Sequence, residues 1–236
     1  MRLDKVLGHV GYGSRKEVQK LIKSKKVTVD GKSVIKSEVS VDPTTQEICV
    51  FGEPIDYQEF YYYILNKPAG YVSATEDPRD ETVIDLLETI DRNKELFPVG
   101  RLDKDTEGLL MLTNNGKLAH DLLSPKKHVD KVYYAKVKGE MVPEDVTTFA
   151  QGMTLNDGTT YRPGKLEILS SGEFSEIYVT ISEGKFHQVK KMVQYVGKEV
   201  VYLQRIQMGQ FKLPEDLALG EYRQLTAEEL VAIQTQ

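Results

Sequence analysis

Apolar residues at Leu3, Val6, Leu7 and Val10 recur at i, i+3, i+4 and i+7, which predicts a short helix that Gly11 ends. Ser14, with Glu17 three positions on, has the pattern of a capping box and opens a second helix with Val18, Leu21 and Ile22 inward. Val27-Thr28-Val29, Asp30-Gly31 and Val34 then read as a hairpin around a two-residue turn. These elements make a compact module that ends near Gly52-Glu53-Pro54, with residues 55 to 60 as its junction. The expected domains are therefore 1–58 and 59–236.

From Phe60 the pattern changes. Phe60 to Leu65 has strong strand character and is expected to halt at Asn66-Lys67-Pro68. Leu109 to Thr113 predicts a second strand, closed by Asn114-Asn115-Gly116 and followed by a helix with Leu118, Leu122 and Leu123 as its apolar face. Val132 to Val137 is strand-like, and Ile177, Val179 and Ile181 alternate with polar neighbours. Glu183-Gly184 turns the chain into a helix from His187, with Val189, Met192, Val193 and Val196 on one face and Gly197 as its stop. Helices and strands mix without a regular βαβ period, so the fold class is α+β.

A hydrophobic content of 40% with 28% charged residues is that of an ordinary soluble globular protein. No apolar run approaches the ~18 residues needed to span a bilayer, and Met1-Arg2-Leu3-Asp4-Lys5 has no apolar signal core. The expectation is a cytoplasmic protein with no membrane partner. The single cysteine, Cys49, cannot form an internal disulfide and reads as a buried apolar residue beside Val50 and Phe51. His9, His120, His128 and His187 have none of the usual metal-ligand spacings, so no metal is expected.

Charge is unevenly distributed. Residues 1 to 36 hold ten Lys or Arg against three acids, a balance of +7, so the remainder carries −12 of the net −5. A basic head on an acidic body localises attraction for a polyanion at the N-terminus. Arg15, Lys16, Lys20 and Lys23 fall on the outer faces of the second helix.

The loop Gly100-Arg101-Leu102-Asp103-Lys104-Asp105-Thr106-Glu107 places three carboxylates and two cations just ahead of an apolar strand. A carboxylate held beside fixed positive charge stays ionised at neutral pH and can act as nucleophile or base without a metal. The structural alternative is a surface salt-bridge cluster. Residue type alone does not choose among Asp103, Asp105 and Glu107.

Family resemblance does. Arg2-Leu3-Asp4-Lys5, Gly11, Ser14-Arg15 and Val27-Thr28-Val29-Asp30-Gly31 resemble the S4 RNA-binding domain. This implies a small α/β head in which Arg15, Lys16, Lys20 and Lys23 grip RNA phosphates. Gly100-Arg101-Leu102-Asp103 with Thr106 and Gly108-Leu109-Leu110 resembles the central motif of pseudouridine synthases of the RsuA/RluA type, whose catalytic aspartate falls on Asp103. Leu65-Asn66-Lys67-Pro68-Ala69-Gly70 resembles the first motif of that family. Lys131-Val132-Tyr133 resembles the segment that supplies its active-site tyrosine, Tyr133. Glu183 to Met192 resembles its third motif, whose basic residue, here Lys190, pairs with the aspartate. The resemblance implies a catalytic body with a large, mainly antiparallel mixed sheet, no cofactor, and RNA contacts from Arg101, Lys67, His187 and Gln188. Arg101 would fill the space left by an everted nucleotide.

The leading S4-like module, Gly70-Tyr71-Val72-Ser73 with Asp77-Pro78-Arg79, and Gly220 to Thr226 are most similar to the RsuA branch, which modifies a uridine in small-subunit ribosomal RNA. The implied substrate is ribosomal RNA or a pre-ribosomal particle, and the expected state is a monomer. The competing readings are a large-subunit synthase of the same family, a non-catalytic RNA-binding or ribosome-assembly factor, and a carboxylate-based nucleoside or glycoside hydrolase. The assembly factor would lack Asp103, Tyr133 or Lys190. The hydrolase would release free uracil.

Overall fold

The computed structural model describes residues 1–124 and 129–234, so His128 lies outside the described residues. The chain forms two compact units. The first comprises Met1–Tyr61, Ile84–Phe97 and Thr113–Asn115, and the second comprises Tyr62–Val83, Pro98–Leu112 and the chain from Gly116 onward.

In the first unit, helices α1 (Leu3–Val10) and α2 (Arg15–Lys23) join a four-stranded sheet of β1 (Val27–Val29), β2 (Lys32–Ser33), β3 (Ile48–Val50) and β4 (Glu53–Pro54), ordered β2-β1-β3-β4. The capping box forms as the sequence predicts: the Ser14 amide and hydroxyl both donate to the Glu17 carboxylate, at 2.7 and 2.6 Å. Asp30 (φ 50°) and Gly31 (φ 75°) both take left-handed backbone, the geometry of a tight hairpin turn. Leu3, Val6, Leu7, Val18, Ile22, Val27, Ile48 and Val50 close the core. Cys49 is only half-buried, because it points away from the core between the inward residues Ile48 and Val50. Helix α3 (Thr89–Arg92) belongs to this unit despite its distance in sequence. The Asn93 amide donates to the Gly11 carbonyl at 2.9 Å, and the Lys94 ammonium pairs with Asp91 at 2.7 Å while lying over the Tyr61 ring.

The second unit is built on a sheet whose strands are β5 (Tyr62–Lys67), β6 (Phe97–Val99), β7 (Glu107–Thr113), β8 (Lys131–Lys138), β11 (Lys165–Ser170), β12 (Phe174–Ile181), β13 (Glu199–Met208), β14 (Phe211–Lys212) and β15 (Tyr222–Gln224). A separate pair, β9 (Met153–Thr154) and β10 (Thr160–Tyr161), completes the strands of this unit among the described residues. The main order is β11-β12-β8-β13-β7-β5-β15, with β14 beside β13 and β6 beside β7. The pairs β11–β12, β12–β8, β8–β13 and β15–β5 are antiparallel, whereas β13 runs parallel to β7. This is the α+β architecture that the sequence predicts, with the large mixed sheet that the resemblance implies. Helices α4 (Gly116–Leu123), α5 (Pro143–Gln151), α6 (Gln188–Tyr195) and α7 (Ala227–Gln234) accompany it.

The outer strands alternate, with Ser175, Ile177, Val179 and Ile181 buried along β12. By contrast, β7 is buried at every position from Gly108 to Thr113, and β5 from Tyr63 to Lys67, as expected of strands covered on both faces. Two local expectations are corrected. The strand expected over Phe60 to Leu65, halting at Asn66-Lys67-Pro68, begins at Tyr62 and runs through Lys67; Pro68, which has no amide hydrogen to donate, ends it. Leu123, expected on the apolar face of α4, is exposed, while Ala119 and Leu122 carry the inward contacts.

Gly108 sits where β7 meets β13. Its φ is +102°, and a Cβ there would lie 2.3 Å from the Arg205 carbonyl oxygen. Only glycine lets the 100–107 loop enter the middle of the sheet at this angle.

Candidate active site

The 100–106 loop is fixed from several sides. The Ser73 hydroxyl donates to the Leu102 carbonyl and accepts from the Leu102 amide, each at 3.0 Å. The Gly70 amide donates to the Lys104 carbonyl at 2.7 Å. Lys67 is fully buried, at 0% exposure, and its Nζ donates to the carbonyls of Pro68 (3.0 Å), Asp103 (3.2 Å), Lys104 (3.3 Å) and Thr106 (2.8 Å). Burial pushes the Lys67 ammonium down to about 8, against the opposing pull of Asp105, Glu107 and Asp103.

The three carboxylates of this loop have different surroundings. Glu107 accepts a hydrogen bond from the Tyr202 hydroxyl at 2.7 Å. Asp105 is largely exposed and accepts from Lys190 Nζ at 2.6 Å. Asp103, 26% exposed, lies 3.2 Å from Lys190 Nζ and 3.6 Å from His187 Nε2. Only Asp103 of the three lines the small cavity, about 60 Å³, that Tyr133, Thr106, His187 and Leu203 also line.

Lys190 enters from the first turn of α6, where the helix dipole also favours nearby negative charge. Partial burial lowers its pKa, but the hydrogen bonds to Asp105 and Asp103 outweigh that, and the net shift is upward. Burial raises Asp105 while its bond to Lys190 lowers it, with a net downward shift. Both partners of the Lys190–Asp105 contact are therefore charged at neutral pH. His187 precedes α6 in left-handed backbone (φ 53°, ψ 30°), with the exposed Phe186 ring stacked on its imidazole at 3.7 Å between centroids.

Tyr133 is directed inward by the alternation of β8 and is a wall of both the Asp103 cavity and an adjoining cavity of about 480 Å³. Arg101 is exposed and lines both. The structure thus brings together Asp103, Tyr133, Lys190, Arg101 and His187. Arg15, Lys16, Lys20 and Lys23 are exposed on α2 of the first unit, with Arg15 Nε 3.8 Å from the buried Asp4 carboxylate.

Of the residues expected to contact RNA, Lys67 lies away from the cavities and Gln188 is nearly buried in the wall of the Asp103 cavity. Lys67 is enclosed, with its ammonium committed to loop carbonyls. Gln188 is 3% exposed; its amide donates to Glu183 at 3.1 Å, and its oxygen accepts from the Lys185 amide at 3.1 Å. Sequence reasoning also missed Ser73, Lys131 and Arg205. Arg205 alternates with the buried Leu203 along β13, and that spacing was the available signal of an inward cation.

The profile described as RNA pseudouridylate synthase matches residues 61–195, and that of the S4 domain matches residues 1–45. The chain belongs to the RNA pseudouridylate synthase family. It is 53% identical over 231 residues to the uncharacterized RNA pseudouridine synthase YtzG of Bacillus subtilis, covering 98% of this chain and 97% of the relative. It is 39% identical to ribosomal large subunit pseudouridine synthase B of the same organism, covering 97% and 93%. Identity to ribosomal small subunit pseudouridine synthase A of Escherichia coli K12 is 37%, covering 99% and 100%. A crystal structure of a pseudouridylate synthase matches with a TM-score of 0.69 at 33% identity, covering 99% of each chain. The protein is a pseudouridine synthase with an S4 domain at its N-terminus. No described helix is long and apolar enough to cross a membrane. Among the described residues, no group of three or more His, Cys, Asp or Glu could hold a metal ion.

Proposed function

We propose that the protein isomerises a uridine of ribosomal RNA to pseudouridine, with Asp103 as the catalytic residue. The observation that carries this reading is the Asp103 carboxylate in the wall of the Tyr133 cavity, 3.2 Å from the Lys190 ammonium. The reaction breaks the N1–C1′ bond, turns the uracil and joins C5 to C1′. The Asp103 carboxylate either attacks C1′ or removes the C2′ proton. One carboxylate suffices because the released base is recaptured, whereas a retaining glycosidase needs a second as acid/base.

Lys190 holds Asp103 in place through their contact at 3.2 Å. Tyr133 stacks on the uracil and assists loss of the C5 proton. Arg101 occupies the place of the everted nucleotide. Eversion costs a few kcal/mol, least in an unpaired loop, so the target is a uridine in loosely structured RNA. The α2 cations supply phosphate contacts that position the substrate without reading sequence.

Ribosomal RNA as substrate is supported by the names of the relatives, which cover both subunits at similar identity, 37% and 39%. The small-subunit assignment rests on Gly70-Tyr71-Val72-Ser73, Asp77-Pro78-Arg79 and the Gly220–Thr226 segment. We take the protein to act as a cytoplasmic monomer, with residues 1–58 as its RNA-binding head. Pseudouridine mapping of both ribosomal RNAs, with and without the protein, tests the substrate. Loss of one small-subunit site supports the assignment, and loss of a large-subunit site replaces it.

A further inference from the structure

Among the described residues, Arg205 is the largest of the fully buried side chains, at 2% exposure. Its Nε donates to the Leu109 carbonyl at 2.9 Å, but among the described residues the buried Nη2 has no hydrogen-bond partner. No carboxylate among the described residues lies within ion-pair distance of it. Arginine is permanently charged, and a buried charge is costly unless a counter-charge meets it. Arg205 is the direct cross-strand partner of Tyr133, so the two side chains share a sheet face. Both line the 480 Å³ cavity.

The rest of that cavity is cationic. Among the described residues, Lys131, Arg101, Arg162 and Lys185 contribute to its wall, against one carboxylate, Glu183. Glu183 is already met by Lys185 at 3.3 Å and Arg162 at 3.8 Å. Lys131 is half-buried and donates to the Val129 carbonyl at 3.0 Å, which uses one of its three donors. Burial, and then the charge of Arg205, lower its pKa against the opposing pull of Asp130, so an anion between the two cations would relieve a repulsion.

We propose that Arg205 and Lys131 form an anion subsite that grips a backbone phosphate of the RNA strand next to the everted nucleotide. This rests on the reading that the chain acts on RNA. A phosphate fits better than the uracil ring because Arg205 is absent from the wall of the smaller Asp103 cavity. The larger cavity gathers more positive charge than a neutral base would need, and every everted nucleotide is flanked by phosphates. A buried, pre-positioned guanidinium binds such an oxyanion at little reorganisation cost.

The test compares wild type with Arg205→Met, Arg205→Lys and Lys131→Met, using small-subunit ribosomal RNA. Binding is measured across a salt series, together with kcat and KM for pseudouridine formation. Each methionine variant should lower the slope of log K against log[salt] by about 0.7, as for loss of one single-strand phosphate contact. Each should raise KM more than it lowers kcat, and Arg205→Lys should restore the slope. Should Arg205→Met fail to fold, Lys131→Met on the neighbouring strand carries the same test. An unchanged slope in folded variants overturns the proposal. So does a loss confined to kcat, which would assign the charge to the departing uracil. If wild type makes no pseudouridine in any ribosomal RNA, the substrate reading fails instead, while the slopes still test the subsite.

Discussion

Lys67→Met removes the ammonium that ties β5 to the 100–106 loop, and its effect can be worked from the contacts. Methionine leaves four carbonyl acceptors without their donor. The Thr106 carbonyl, whose bond is fully buried, loses about 1–3 kcal/mol, and the other three lose about 1 kcal/mol each. Against this, a pKa of about 8 in place of 10.5 means that the buried charge itself costs about 3 kcal/mol at neutral pH. The net destabilisation should be about 1–3 kcal/mol, read as a lower midpoint in urea unfolding. Activity should fall further, by about 100-fold or more, because the carbonyls released include that of Asp103.

The same residue gives a pH signature of opposite signs. Between about 8 and 10.5 the unfolded chain binds a proton at Lys67 that the folded chain does not, so its contribution to stability rises with pH. Over that window the loop loses one N–H donor, so kcat should fall as pH rises through about 8. A variant as stable and as active as wild type, with the same alkaline limb, would refute this account of the loop.

Three shorter predictions accompany it. Replacing Arg15, Lys16, Lys20 and Lys23 together by alanine should flatten the salt dependence of RNA binding while leaving urea unfolding within about 1 kcal/mol of wild type, because all four are exposed. An unaltered salt slope would make that face a solvated surface only. Gly108→Ala combines a φ of +102° with a Cβ 2.3 Å from the Arg205 carbonyl, so it should destabilise by more than about 3 kcal/mol, seen as a large fall in the unfolding midpoint. Lys190→Met should depress kcat strongly while Lys190→Arg keeps most of it, since the charge paired with Asp103 and Asp105 is what matters; equal loss in both would point to shape instead.

The sequence made short-range structure legible and long-range burial illegible. Helices α1 and α2 and the Asp30-Gly31 turn follow from spacing, capping and turn chemistry acting within a few residues, and all three form. Asn66-Lys67-Pro68 looks like a turn for the same local reasons. Its Lys67 is nevertheless sealed inside, because the acceptors that satisfy it come from the loop 36 to 39 residues later. The burial of Gln188 is equally hidden from local pattern: it depends on Glu183 and Lys185, which close over it only when the turn before α6 forms. The association of residues 84–97 with the first unit depends on contacts such as Asn93 with Gly11, which no local pattern encodes. Choosing Asp103 over Asp105 and Glu107 needed family resemblance at the sequence level. In the fold, Tyr202 occupies Glu107 and solvent surrounds Asp105, leaving Asp103 at the cavity.

The most direct measurement is pseudouridine formation by Asp103→Asn on ribosomal RNA that wild type modifies, alongside its RNA affinity. The substitution keeps the size of the side chain and removes only its charge. The account predicts no detectable pseudouridine with affinity nearly unchanged, because phosphate contacts lie elsewhere. Retained turnover by a folded Asp103→Asn protein would contradict it.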